Sequence, residues 1–322
     1  MIRSAFIALC AVAAAALFPA CEANAQPFPT RGIKIVSPHP PGVATDILGR
    51  ALAQKLTDSL GVPVILENRP GANGIIAATA IAKAEPDGYT IHITTGGHIA
   101  NAFVTKSLPY DVLKDFTPVT QLAASYGLAL ITNLPVKSVA ELVALAKQKP
   151  GTLTYATNGV GNITHIAGLL FDARSGTKMI PVPYNTPNLT GDVVAGTVDM
   201  TFFSTAGATP LVTSGKIKAL AVTGTRRTPG LPDVPTLQEL GYKDFDVTGW
   251  FGLLLPPGAP REIVEKIRSE SSKALASPDV QKLLASSGMY AVDSSPDEFA
   301  AFLKKDYDYQ DRLMTEVGLK AQ

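Results

Sequence analysis

Ser37-Pro38-His39-Pro40-Pro41-Gly42-Val43-Ala44-Thr45-Asp46 is the stretch on which the reading of the fold turns. A short apolar strand, Ile33-Lys34-Ile35-Val36, runs into it. An amphipathic helix with Ile47, Leu48, Ala51, Leu52 and Leu56 on one side runs out of it. A Pro/Gly loop thus joins the carboxyl end of a strand to the amino end of a helix. Unpaired backbone N–H groups and the positive end of a helix dipole meet there, so the place suits an anion. The loop carries no Lys or Arg, which leaves backbone amides, hydroxyls and His39 to hold one. Taken alone, such a loop is more often a plain turn.

The pattern continues outward from it. Val62 to Leu66 reads as a strand, and Glu67 to Gly74 as a turn-rich loop. A helix with Ile75, Ile76, Ala77, Ala80, Ile81 and Ala84 follows, and then a strand from Tyr89 to Thr94. This βαβαβ order implies a parallel, doubly wound sheet. Its third strand ends in Thr94-Thr95-Gly96-Gly97-His98, a second polar loop. Strands near Val119 to Ala123 and Leu128 to Thr132 then follow with little between them, which reads as a crossover into a second domain.

A new α/β series starts at Ser138-Val139-Ala140-Glu141, a capping box. The strand Leu153 to Ala156 enters Thr157-Asn158-Gly159-Val160-Gly161-Asn162-Ile163-Thr164-His165, and a helix leaves it. That repeats the organisation of the opening stretch about a hundred residues later. Met179 to Val182, Val198 to Phe203 and Ile217 to Thr223 are further strands, and a loop after Tyr184 follows the first of them. Val247 to Leu255 reads as a second crossover back to the first domain. Pro260, Pro278 and Pro296 mark helix starts, with Ser277 and Ser295 as caps. The expected architecture is α/β. Residues 26–125 and 247–322 form one discontinuous domain and 126–246 the other. Each is a mainly parallel sheet flanked by helices, and two crossover strands join them.

Composition limits the function. A formal net charge of +1 over 322 residues argues against a nucleic-acid partner. Arg3, the apolar run Ala5 to Phe18 and the box Ala23-Asn24-Ala25 read as a secretory signal over residues 1–25, with a mature start at Gln26. A lipoprotein signal ending at Cys21 is the competing reading, and Phe18 and Pro19 fit it poorly. Both cysteines, Cys10 and Cys21, lie in the signal, so the mature chain lacks a disulfide framework, a thiolate metal site and a Cys nucleophile. A bacterial periplasm is the natural compartment.

Catalytic signatures are absent: no phosphate loop, no His-Glu-x-x-His and no Gly-x-Ser-x-Gly. Gly159-Val160-Gly161 starts like a dinucleotide fingerprint, but Thr164 stands where the third Gly belongs. His39, His92, His98 and His165 have no metal-ligand spacing. His39 and His98 follow two strands of one sheet and could converge. Asp46 sits where a capping carboxylate would. What remains is a set of polar, Gly-rich loops at the carboxyl ends of strands in two domains. Facing one another across a cleft, they would clamp a small organic acid.

Several motifs together resemble a known family. They are the opening strand and loop, Glu67-Asn68-Arg69-Pro70-Gly71-Ala72-Asn73-Gly74, Pro86-Asp87-Gly88-Tyr89-Thr90 and Leu108-Pro109-Tyr110-Asp111. Further on they are Tyr155-Ala156-Thr157 with Gly161 and His165, Val182-Pro183-Tyr184, Leu231-Pro232-Asp233-Val234-Pro235-Thr236 and Trp250-Phe251-Gly252-Leu253. In this order they resemble the extracytoplasmic solute receptors of tripartite tricarboxylate transporters, the Bug-type receptors, over essentially the whole mature chain. The resemblance implies a type II-like periplasmic binding protein, monomeric and without a cofactor. It would close on a small carboxylate (a di- or tricarboxylate or an aromatic acid) and deliver it to a membrane permease. It implies a cleft lined by Gly42 to Asp46, Thr94 to His98 and Thr157 to Thr164.

The expected ligand set is His39, Gly42, Val43, Ala44, Thr45, Asp46, Thr95, Gly96, His98, Thr157, Asn158, Asn162, Thr164, Tyr184 and Phe203, with no catalytic residue and no metal ligand. The family's first loop commonly reads Pro-Phe-Pro-Ala-Gly-Gly. His39, Pro41 and Val43 depart from it here, which marks His39 and Val43 as candidates for ligand choice. Two other classes stay open: a periplasmic sensor that signals to a membrane kinase, and an exported hydrolase or lyase with His39 or His98 as base.

Overall fold

The computed structural model describes residues 28–159, 162–184 and 189–319. The expected signal segment with Cys21 and the cleavage point, Val160-Gly161, and Asn185-Thr186-Pro187 lie outside those residues. From the amino end, β1 (Ile33–Ser37) leads through α1 (Ala44–Leu60) to β2 (Val64–Asn68). Then come α2 (Ile75–Ala82), β3 (Thr90–Thr95), α3 (Gly97–Val104) and β4 (Thr117–Ser125). The second body holds β5 (Leu128–Thr132), α4 (Val139–Gln148), β6 (Thr154–Thr157), α5 (Ile163–Ser175) and β7 (Ile180–Pro183). It continues through α6 (Leu189–Ala195), β8 (Met200–Ser204), α7 (Thr205–Thr213) and β9 (Lys218–Val222). The chain returns with β10 (Trp250–Leu255), α8 (Arg261–Ala276), α9 (Pro278–Ser286), β11 (Met289–Ala291) and α10 (Pro296–Glu316).

There are two sheets. The first has the order β11-β4-β10-β3-β1-β2 and the second β7-β6-β8-β5-β9. The parallel pairs are β1 with β2 and β3, and β6 with β7 and β8. Each sheet is therefore mixed rather than mainly parallel. Every antiparallel pair involves β4, β5 or β10, the strands that carry the chain between the bodies. A strand that arrives from the other body enters reversed, whereas a helical crossover within one body returns it parallel.

Apolar periodicity explains the layers. Leu48, Leu52 and Leu56 recur every four residues along α1 and bury against Ile35, Ile91 and Ile93, together with Val264 and Ile267 of α8. The other face of that sheet is covered by Ala78 and Ile81 of α2, Ile99 and Phe103 of α3, and Phe299 and Leu303 of α10. The same apolar cluster continues into the second body through Leu130, Tyr155, Phe171 and Phe202. One core thus spans the junction, and a separate cluster around Ile131, Val193 and Ala208 fills the far face of the second sheet.

The junction requires close backbone approach. A Cβ on Gly127, whose φ is +85°, would lie 2.5 Å from Thr223 Oγ1 and 2.7 Å from the Gly224 nitrogen. A side chain on Gly127 or Gly224 would force the two connections apart. Thr223 Oγ1 accepts from the Leu128 amide at 2.8 Å and donates to the Val247 carbonyl at 2.7 Å. Ser125 Oγ accepts from the Gly249 amide at 2.8 Å. These bonds fix where the two sheets face each other.

Candidate functional site

Between the two sheets lies a cleft of about 380 Å³. His39 reaches it from the loop after β1, Asn73 from the loop after β2, and Thr95, Gly96 and Gly97 from the end of β3 and start of α3. Asn162, Ile163 and Ile166 face them from the start of α5. The returning segment Asp246 to Phe251 forms the floor, and Phe302, Asp306, Tyr309, Gln310, Leu313 and Met314 of α10 form a wall.

The start of α3 is chemically open. Gly96 is its N-cap, and no side chain caps it. Its first amides and the positive end of its dipole are thus available at the cleft. The start of α5 is capped: Asn162 Oδ1 accepts from the Thr164 amide at 3.2 Å, which leaves the Asn162 amide group as a donor at the cleft. Two helix starts from two bodies, those of α3 and α5, therefore line one cavity, and the loop before α1 reaches it through His39.

The Asp46 carboxylate, 3% exposed, takes the Gly42 amide at 2.9 Å and Asn68 Nδ2 at 2.9 Å. Arg50 closes on it at 2.9 Å. The Arg50 hydrogen bond, followed by those from Gly42 and Asn68, outweighs burial and holds this carboxyl below the usual carboxylate range. The carboxylate thus ties the opening loop to itself and to β2, while the N-cap of α1, Val43, carries no side-chain cap of its own. Thr45 is buried and pairs its hydroxyl with His39 Nδ1 at 3.0 Å. Val43 is 40% exposed, and Gly42 and Ala44 are exposed beside it. None of Gly42 to Asp46 is among the cleft-lining residues, and of this loop only His39 is. Burial lowers the His39 pKa, so the ring is neutral at pH 7 and offers its remaining nitrogen as donor or acceptor.

Of the remaining expected residues, Thr95, Gly96 and Asn162 are brought to the cleft. Thr164 is buried, and its hydroxyl accepts from the Asn158 amide at 2.9 Å. Thr157 Oγ1 accepts from the Gly159 amide at 3.3 Å. These residues shape the loop from behind. Tyr184 donates to Asp192 at 2.7 Å, and that bond pushes its pKa up to about 12. Phe203 packs on the far-face cluster of the second sheet, and Phe202 is fully buried on the opposite side. His98 is 5% exposed, with Nε2 donating to the Val112 carbonyl at 2.9 Å and its ring edge-on to Phe116. His92 donates through Nδ1 to the Val36 carbonyl at 3.0 Å. Burial drives both rings down, to about 3 for His92 and about 4 for His98. They line a small void of about 10 Å³ beneath the cleft with His39, Asn73 and Thr95.

Sequence reasoning missed Asn73, Trp250 as a lining residue, and the α10 wall. Asp306 Oδ2 accepts from Trp250 Nε1 at 3.0 Å and from Gln310 Nε2 at 2.8 Å. Burial, against those two bonds, raises the Asp306 carboxyl to about 6. Asp246 is also raised by burial, with Thr248 donating to it at 2.8 Å. The signal was present in α10: Phe299, Phe302, Leu303 and Leu313 make an apolar stripe, and Asp306 sits on that stripe.

The family model described as the tripartite tricarboxylate transporter family receptor matches residues 48–319. The chain belongs to that family of receptors. A UPF0065 protein of Pseudomonas sp. (strain P51) is 35% identical over 298 residues, covering 91% of this chain and 88% of the relative. Protein BugT of Bordetella pertussis is 33% identical, covering 94% of each chain. Among solved structures, R. palustris Rpa4515 with adipate matches with a TM-score of 0.77 and 32% identity, over 92% of this chain and 100% of the other. MatC from Rhodopseudomonas palustris with bound malate matches at 0.72 and 30%, over 89% and 99%. The receptor thus has the two-body architecture of periplasmic solute-binding proteins and is periplasmic. Its family is one of binding proteins, not catalysts. Among the described residues, no group of three His, Cys, Asp or Glu could hold a metal.

Proposed function

We propose that the receptor binds a small carboxylate in the cleft between α3 and α5 and delivers it to the membrane permease of a tripartite tricarboxylate transporter. The observation that carries this is the open amino end of α3, facing the capped start of α5 across one cavity. The ligand-bound relatives, with adipate and with malate, support the class of ligand. A carboxylate there accepts the α3 amides, the Thr95 hydroxyl and the Asn162 amide group. Exclusion of water on closure strengthens those bonds. His39 completes the donor set in its neutral form. Export by a signal ending at Ala25, with Gln26 as the mature start, is part of the same proposal.

A thermal-shift screen of the mature chain against mono-, di-, tri- and aromatic carboxylates tests it, because a ligand of the native state raises Tm by mass action. At least one acid is expected to raise Tm with a saturable dose dependence. No shift with any of them would overturn the proposal. Amino-terminal sequencing of the exported protein tests the mature start.

A further inference from the structure

The cleft is electrically lopsided. Among the described residues that line it, the only formally charged ones are Asp246 and Asp306, and none is a Lys or Arg. Asp306 stands next to the start of α3. Trp250 Nε1, which donates to Asp306, lies 3.3 Å from where a Cβ on Gly96 would be. Gln310 bonds both the Asp306 carboxylate and, at 3.4 Å, the Gly96 carbonyl. Both hydrogen bonds to Asp306 fall on Oδ2, so Oδ1 retains its acceptor capacity at the cleft wall. The cavity thus offers donors at the helix starts and an anionic acceptor beside them.

A second carboxylate on a ligand would meet Asp306 on the wall and Asp246 on the floor, with no Lys or Arg among the described lining residues to separate them. Like charges a few ångströms apart in a water-poor site repel strongly. A ligand whose carboxylate takes the helix-start donors and whose nitrogen-bound hydrogen reaches the α10 wall matches that arrangement. We propose that Asp306 is a specificity-determining residue that selects carboxylates bearing a protonated or hydrogen-bearing nitrogen over dicarboxylates of the same length. This rests on the carboxylate reading of the cleft and names the second group of the ligand. The raised pKa of Asp306 agrees with it, since a buried acid short of a cationic partner gains from one supplied by the ligand.

Calorimetric titration at neutral pH with two matched sets tests the proposal. One set is pentanoate, 5-aminopentanoate and glutarate; the other is benzoate, 4-aminomethylbenzoate and terephthalate. In at least one set the amino member is expected to bind roughly tenfold more tightly than its dicarboxylate. In the Asp306→Asn variant that preference is expected to shrink by roughly tenfold, through weaker binding of the amino member and no loss for the dicarboxylate. A misfolded variant would weaken all three ligands together, so the ratio is the readout. A dicarboxylate that outcompetes its amino partner in the parent, or a ratio unchanged in Asp306→Asn, overturns the inference and leaves the carboxylate reading standing. Binding of none of the six acids would overturn the inference, and the thermal-shift screen then decides separately whether the carboxylate reading falls as well.

Discussion

Acid should destabilise this protein through two histidines that the cleft does not use. His92 and His98 are 1% and 5% exposed, and their pKa values are depressed to about 3 and about 4. In the unfolded chain each returns to about 6.5. Their contribution to stability is therefore complete above about pH 6.5 and is lost as pH falls toward the folded-state values. At pH 5 the unfolded state holds both protons and the folded state almost none, so each histidine withdraws about 2 kcal/mol between pH 7 and pH 5. Asp306 acts the other way. Its folded pKa of about 6 exceeds the unfolded value, so the folded state gains a proton over this range, which returns at most roughly 1 kcal/mol given its partial exposure. These three groups together withdraw about 3 kcal/mol on going from pH 7 to pH 5. Urea unfolding at both pH values measures it. The informative variant is His98→Phe. It removes one titrating ring and leaves the Val112 carbonyl without its donor, a pH-independent cost of about 1 to 3 kcal/mol. The variant should be less stable at pH 7 yet lose about 2 kcal/mol less than the parent on acidification. Equal losses in parent and variant would refute the reasoning.

Gly168→Ala should lower Tm, although Ala usually favours a helix interior. Its Cβ would lie 2.1 Å from Tyr155 Cε2, and overpacking of that kind costs about 1 to 3 kcal/mol. Asn162→Ala and Ser138→Ala each remove a helix cap and should each cost about 1 kcal/mol by urea unfolding. Only Asn162→Ala should also weaken ligand binding, because Ser138 lies away from the cleft; equal binding losses would contradict that. His39→Phe should change the ranking of ligands in the thermal-shift screen, whereas Val43→Gly, on the exposed side of the loop, should leave it in place.

Much of the fold was legible because local signals agreed with one another. Apolar periodicity marked α1, Ser295 as a cap before Pro296 marked the start of α10, and the box at Ser138 marked α4. Pro260 came close: it is the N-cap of α8, which begins at Arg261. The mixed sheets were not legible, since strand direction follows from where the chain crosses and not from the strands themselves. The site was half legible. Loops at strand ends were visible, and Thr95, Gly96, Asn162 and His39 do share a cavity. The sequence placed Asp46 as a capping carboxylate, with Gly42 and Arg50 each four residues away, but Asn68, 22 residues on, approaches it only in three dimensions. Nor could it show which face of α10 meets the cleft, since Asp306 and Trp250 are 56 residues apart.

The most direct measurement is a crystal structure of the mature receptor with the acid that gives the largest thermal shift. The carboxylate is expected between the first amides of α3 and the Asn162 side chain, within hydrogen-bond reach of Thr95. A second groove, about 460 Å³, lies on the second body and has a lysine, Lys137, beside Ser138 and Tyr242. A carboxylate paired with Lys137 there, with the cleft between α3 and α5 left to solvent, would contradict the assignment.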